Sequence, residues 1–125
     1  MIVRLDHLVL TVRSVEATCD FYRRCLDLRP EPGPMGTAAL YFGNQKINLH
    51  PAENDFVGVA RRPTAGSADF CLVTYQDLAI VMERLAGEGV LIETGPASRK
   101  GAVGPMTSIY FRDPDENLVE VSRYD

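Results

Sequence analysis

The same order of predicted secondary-structure elements occurs twice along the chain, and this repetition constrains the fold more than any other feature. Each half is predicted to run strand, helix, strand, strand. The first module covers about residues 1–52, a linker with several glycines and prolines covers about 53–66, and the second module covers about 67–125. Two similar modules within 125 residues predict a single domain with pseudo-twofold symmetry, whose corresponding strands face a shared space.

The first module opens with an alternating strand from Val3 to Val12, which places His7 on its more polar face. Ser14 is suited to cap an amphipathic helix that ends near Asp27. The rest of the module is predicted as a proline-rich break over 30–34 and two strands, 38–42 and 46–49, joined by Gly43-Asn44.

The second module ends in a predicted hairpin, whose last strand contains Glu120 between two valines. Successive side chains of a strand point to opposite faces, so Glu120 points away from those valines, either to solvent on an edge strand or into a cavity. The preceding segments are predicted as a strand over 68–74, a helix over 77–86, a short strand over 90–92 and a glycine- and proline-rich loop over 95–105.

Aligning the two modules pairs polar residues at corresponding positions. His7 corresponds to Asp69 on the first strands, and Asn48 corresponds to Glu120 on the last strands. In this alignment Tyr41-Phe42 corresponds to Tyr110-Phe111. The repeat therefore predicts that four polar side chains converge.

Composition excludes several classes of partner. The formal charge of −4, without a run of lysines or arginines, argues against nucleic acid or an anionic membrane surface. No apolar segment is long enough to cross a bilayer, and the N-terminal residues lack a signal-peptide pattern, which predicts a cytoplasmic location.

The three cysteines, Cys19, Cys25 and Cys71, have no CxxC spacing and are predicted to be reduced, buried thiols.

Two motifs resemble a known family. The segments LDHLVLTVRSVEATCDFY and YFRDPDENLVEV, in duplicated modules, are similar to the glyoxalase/bleomycin-resistance/dioxygenase, or vicinal oxygen chelate, superfamily. The run FGNQKINLHPAE is more similar to the glyoxalase domain-containing protein 5 group. The resemblance implies an α+β fold of two tandem βαβββ modules, which form a curved mixed sheet around a cavity. It also implies a homodimer.

The resemblance further implies a divalent metal ion, such as Zn, Ni, Mn or Fe. The matching metal positions are His7, Asn48, Asp69 and Glu120, although many members have histidine where Asp69 stands and asparagine is a weak ligand for such ions. His50 is an alternative to Asn48, because side chains two residues apart on a strand share a face. Glu120 corresponds to the family's catalytic base.

The activity implied is glyoxalase-like or dioxygenase-like chemistry on a small substrate chelated through vicinal oxygens. Asn48, Arg99 and Lys100 are candidates for binding the substrate, the last two because they form the only basic cluster in a flexible segment. The rival function is a non-catalytic protein that sequesters a drug without a metal, although the chain has no tryptophan for stacking on planar cations. Each candidate residue also has a purely structural interpretation.

Overall fold

The computed structural model describes residues 1–125 and confirms the predicted α+β fold. The chain divides into two compact units, Met1–Ser67 and Ala68–Asp125, each with the order βαβββ. The elements are β1 (His7–Val12), α1 (Val15–Leu26), β2 (Arg29–Pro32), β3 (Ala38–Phe42), β4 (Gln45–Pro51), β5 (Asp69–Val73), α2 (Leu78–Gly87), β6 (Thr94–Gly101), β7 (Gly104–Arg112) and β8 (Leu118–Tyr124). Neither helix is long and apolar enough to span a membrane.

Both units contain a four-stranded mixed sheet with the same topology. The strand order is β1-β4-β3-β2 in the first sheet and β5-β8-β7-β6 in the second. The first strand of each unit runs parallel to the last, whereas the other neighbours are antiparallel. A parallel pair requires a crossover connection, and the helix of each unit lies within that connection.

Alternation along the strands gives the first sheet one apolar and one polar face. The apolar face is almost completely buried and consists mainly of Leu10, Val12, Leu40, Ile47 and Leu49. Helix α1 buries Phe21, Tyr22 and Cys25. The intervening positions form the polar face of the first sheet: His7, Val9 and Thr11 of β1, Arg29 and Glu31 of β2, Ala39 and Tyr41 of β3, and Lys46, Asn48 and His50 of β4.

The second sheet has the same division. Its buried apolar face consists of Ile109, Phe111, Val119 and Val121, and Leu85 of α2 is also fully buried. Its polar face, defined by the register, contains Asp69 and Cys71 of β5, Arg99 of β6, Ser108 and Tyr110 of β7, and Glu120 and Ser122 of β8. This confirms that Glu120 and its two valine neighbours point to opposite faces.

Both helices begin at side-chain caps. The Ser14 hydroxyl accepts a hydrogen bond from the Ala17 amide at 3.1 Å, as predicted for the start of α1. The Asp77 carboxylate accepts one from the Ala79 amide at 3.0 Å at the start of α2.

Two boundaries in the first unit differ from the prediction. Strand β1 begins at His7, not Val3, because His7 pairs with Lys46 and β4 itself starts only at Gln45. The predicted break over 30–34 contains the edge strand β2. Since Pro30 and Pro32 lie two residues apart, their missing amides lie on the same edge of the strand, and the other edge can still pair with β3.

The largest error concerns residues 90–105. Residues 90–92 form no strand, and the predicted loop over 95–105 forms β6 and the start of β7. A shift in register between Thr94 and Ala97 accommodates Gly95 and Pro96. The glycine and proline content of this segment predicts a loop. Its conformation is instead determined by the long hydrogen-bonded pairing with β7, which composition does not show.

The hairpins align differently from the sequence comparison. Glu120 pairs with Tyr110, whereas Asn48 pairs with Ala39. Tyr110 therefore corresponds to Ala39, not to Tyr41. The shift arises because the loop between β7 and β8 is longer than the Gly43-Asn44 turn between β3 and β4.

Candidate functional site

His7 stands at the start of β1 with its imidazole held by the preceding residue. The His7 Nδ1 atom lies 2.8 Å from Asp6 Oδ1, and this hydrogen bond is the main cause that lowers the pKa of the Asp6 carboxyl. In the neutral imidazole, a proton on Nδ1 satisfies the pair and places the lone pair on Nε2. A carboxylate that fixes one imidazole nitrogen while the other binds a metal is a recurring arrangement in metalloproteins.

Glu120 is held by hydroxyl groups on two strands. The Ser122 hydroxyl donates to Glu120 Oε2 at 3.1 Å, and its oxygen lies 2.6 Å from Ser108 Oγ and 3.1 Å from Cys71 Sγ. In the Ser108–Ser122 pair and in the Cys71–Ser122 pair, either atom can be the donor. We call Glu120, Ser122, Ser108 and Cys71 the hydroxyl network; it fixes one oxygen of Glu120 and leaves the other open.

Cys71 is exposed, which contradicts the prediction that all three thiols are buried. The prediction was wrong because Phe70 and Leu72 are on the inward-facing side of β5, and Cys71 shares the polar face with Glu120. Partial burial of its sulfur raises the pKa of Cys71. The Glu120 charge raises the pKa further, while the hydrogen bond with Ser122 opposes the increase. The pKa is raised on balance, so burial and the Glu120 charge favour the thiol over the thiolate.

Asp69 begins β5 and is exposed, on the same face as Cys71 and Glu120. A carboxylate at the start of a strand can accept backbone hydrogen bonds in a turn. In the structure that role belongs to Asn117, whose Oδ1 accepts a hydrogen bond from the Ala68 amide at 2.9 Å. The Asp69 carboxylate is thus not used to stabilise the strand end.

Asn48 and His50 occupy the polar face of the first sheet, but they lie at different distances from His7. His7 is opposite Lys46, whereas His50 is opposite Thr11 and lies four residues beyond Lys46. At about 3.3 Å per residue this separates the two histidines by about 13 Å along the strands. His50 instead contacts Phe56, with ring centroids 5.1 Å apart in an edge-on arrangement.

A cavity of about 330 Å³ lies on the polar face of the first sheet. Its wall includes Glu31, Ala39, Tyr41, Lys46, Asn48 and His50, together with residues of the connection from β2 to β3. Of these, Asn48 and His50 were singled out from the sequence. Lys46 was missed, although its position two residues before Asn48 on an alternating strand was the signal that could have identified it.

Arg99 and Lys100 lie on a strand, not in the predicted flexible loop. Both belong to β6, and adjacent strand residues point to opposite faces. The Arg99 side chain donates from Nε to the Tyr110 hydroxyl at 2.9 Å and from Nη1 to the Ser98 carbonyl at 2.9 Å. Only Arg99 therefore shares the polar face with Glu120.

The residues that we assign to a metal keep suitable donor atoms. His7 has a free imidazole nitrogen and Glu120 has a free carboxylate oxygen, and both are ligands that first-row divalent ions accept. No group of three or more His, Cys, Asp or Glu side chains that could hold a metal ion is found in the structure. The complete ligand set stays a prediction.

Comparisons with known proteins agree with the resemblance noted from the motifs. A family model described as Glyoxalase/Bleomycin resistance protein/Dioxygenase superfamily matches residues 4–121. Virulence protein STM3117 of Salmonella typhimurium is 45% identical over 124 residues, which make up 99% of this chain and 86% of that protein. Glyoxalase domain-containing protein RDO1 of Mycosarcoma maydis is 45% identical over 120 residues, 96% of this chain and 68% of that protein.

One solved structure is similar to this chain over its whole length. The structure of integron cassette protein VCH_CASS1 from the mobile metagenome of V. cholerae has a TM-score of 0.96 and 46% sequence identity with this chain. The match covers 100% of this chain and 98% of that one.

Proposed function

The chain belongs to the glyoxalase/bleomycin resistance protein/dioxygenase superfamily, and from this premise we propose that it is a metal-dependent enzyme. Its substrate would be a small molecule that presents two neighbouring oxygen atoms. The observation that carries the proposal is shared by His7 and Glu120: each has one polar atom fixed by a neighbour and one left for a ligand. Such preorganisation is what a metal ligand requires.

We assign His7 and Glu120 as ligands of a divalent ion, with Asp69 as a further carboxylate ligand. His50 is the weaker candidate, because the register sets it about 13 Å from His7 along the strands. When bound, the ion would supply Lewis-acid stabilisation of negative charge that develops on the substrate oxygens.

Glu120 is the proposed general base. Its carboxylate would take a proton from the substrate carbon next to a carbonyl and return it to the neighbouring carbon, so that the carboxylate is unchanged after the cycle. The Ser122 hydroxyl would hold the carboxylate in place during both transfers.

The assignment of Glu120 as the base favours a glyoxalase-like reaction. An extradiol dioxygenase uses two histidines and one carboxylate, and the separation of His7 from His50 does not suit that set.

The alternative is a non-catalytic binding protein of the drug-sequestering type. The cavity in the first unit favours it, since about 330 Å³ is within the usual range of small-molecule pockets. A planar cation, however, would meet Arg29 and Lys46, which both lie over the Tyr41 ring, at 5.2 and 5.8 Å from its centroid.

The narrower resemblance to the glyoxalase domain-containing protein 5 group, the homodimer and the cytoplasmic location stay predictions.

Turnover tests the enzymatic proposal. The metal-loaded protein is assayed with the hemithioacetal of methylglyoxal and glutathione, and separately with catechol. We expect conversion of the hemithioacetal, and Glu120→Gln should lower kcat by roughly 10²–10⁴-fold, because the amide cannot accept the proton.

Glu83→Gln is the matched control, since Glu83 is exposed on α2 and lies outside the proposed site. Unchanged kcat in Glu120→Gln would exclude Glu120 as the base. Conversion of catechol without conversion of the hemithioacetal would replace the glyoxalase-like reaction with the dioxygenase-like one.

A further inference from the structure

The cavity of the first unit has a physical cause in one small residue. Ala39 lies on the polar face of β3, opposite Glu31 of β2 and opposite Asn48 of β4. Tyr41 follows two residues later on the same face. A methyl group between three longer side chains leaves space above it, and Ala39 is one of the residues that line the cavity.

The polar side chains that β4 contributes to this cavity form no hydrogen bond or ion pair within the fold. Lys46, Asn48 and His50 lie on alternate positions of β4, so their side chains form a row along one face. The Lys46 ammonium lies 5.8 Å from the Tyr41 ring centroid, and the His50 ring packs edge-on against the Phe56 ring. No side-chain hydrogen bond or ion pair occupies the Lys46 ammonium or the Asn48 amide.

The charges around the cavity do not cancel. Arg29 and Glu31, on β2, form an ion pair with a nitrogen-to-oxygen distance of 3.5 Å, so the nearest carboxylate is already paired. Asp6 is within electrostatic range of Lys46, but the main partner of the Asp6 carboxylate is His7. The Lys46 ammonium is therefore the charge that a ligand in the cavity would meet.

We propose that this cavity binds a small organic oxyanion, a carboxylate or a phosphate monoester. Its negative group would contact Lys46 and Asn48, and its compact body would lie over Ala39 beside the Tyr41 ring. A volume of about 330 Å³ suits a ligand of that size. As an anchor for an acidic group of the substrate, the cavity rests on the proposed function, whereas anion binding itself requires neither metal nor Glu120.

Four ring compounds of similar size test the role of charge: benzoate, phenyl phosphate, benzamide and benzylamine. Each is titrated into chelator-treated protein and followed by the backbone amide NMR signals of β3 and β4. We expect benzoate or phenyl phosphate, or both, to bind at least about tenfold more tightly than benzamide and benzylamine, since only an anion forms a charge-assisted hydrogen bond with the Lys46 ammonium. Equal binding of benzamide would overturn the proposal, and so would the absence of binding by both anions.

Two substitutions separate charge from shape. Lys46→Met should weaken anion binding about tenfold by removing the charge from a similar side-chain length. Ala39→Met should abolish binding by filling the space above this position while Lys46 is kept. Lys100→Met, outside the cavity, is the control and should leave the affinity unchanged. Retained affinity in Lys46→Met would contradict the assignment.

His7→Ala distinguishes the two proposals. It should abolish metal retention and leave the affinity for benzoate unchanged, whereas Lys46→Met should weaken benzoate binding about tenfold and leave metal retention unchanged. Loss of both properties in either variant would show that the two sites are not separate.

Discussion

At the scale of single residues, the proposed metal site depends on which polar atoms already have hydrogen-bond partners. Asp6 fixes one nitrogen of His7, and Ser122 fixes one oxygen of Glu120. The outward direction of Glu120 could be predicted from its two valine neighbours. The hydroxyl network could not, because Cys71, Ser108 and Ser122 are far apart in the sequence and meet only through the registers of three strands.

The hydroxyl network predicts opposite effects of two substitutions on Cys71. Glu120→Gln removes a negative charge that raises the pKa of Cys71, so the pKa should fall and alkylation at a given pH below it should become faster. Ser122→Ala removes a hydrogen bond that lowers the pKa of Cys71, so alkylation should become slower. Iodoacetamide labelling between pH 7 and about pH 10, with quantification of the Cys71 peptide by mass spectrometry, measures both.

Cys19 provides the internal control for this experiment. Burial also raises the pKa of Cys19, but neither Glu120 nor Ser122 contributes to it. Its labelling rate should be the same in all three proteins. Equal shifts at Cys19 and Cys71, or a slower reaction of Cys71 in Glu120→Gln, would show that Glu120 does not control the thiol.

At the scale of elements, the hairpin of β7 and β8 positions Glu120. The Asp113 carboxylate accepts hydrogen bonds from the Asp115 amide at 2.9 Å, the Asn117 amide at 3.0 Å and the Asn117 side chain at 2.8 Å. Asn117 in turn binds the Ala68 amide and links the loop to β5. The sequence predicted a turn at Asp113-Pro114-Asp115, but not that a buried carboxylate organises it.

Asp113→Ala should destabilise the fold by about 2–4 kcal/mol, because three buried donors lose their acceptor. Urea denaturation followed by circular dichroism measures the change in the free energy of unfolding. Asp55→Ala, at an exposed position, is the control and should change the free energy of unfolding by less than about 0.5 kcal/mol. A change of that small size in Asp113→Ala would show that the loop does not depend on the carboxylate.

The elements also show where sequence patterns are limited. Helix starts were predicted well, since a cap and a periodic apolar stripe are local signals. Strands β2 and β6 were missed, because proline and glycine predict breaks locally while pairing with a neighbouring strand is a long-range effect. The same limit hid the cavity over Ala39, which depends on what lies opposite that residue.

At the scale of the whole molecule, the chain consists of two units with one topology and different chemistry. Asn48 in the first unit corresponds to Glu120 in the second, and His7 corresponds to Asp69. The first unit contains the cavity lined by Lys46, and the second contains the hydroxyl network. The repeat could be predicted from the sequence. The different chemistry of the two units depends on the registers of their strands, which the sequence does not show.

The metal content of the purified protein tests the central claim most directly. Protein produced without a polyhistidine tag is analysed for Zn, Ni, Mn and Fe, before and after titration with each ion. We predict about one divalent ion per chain. This ion should be lost in His7→Ala and in Glu120→Gln, and it should be retained in His50→Gln. A wild-type protein that binds none of the four ions, or both variants retaining the ion, would contradict this prediction.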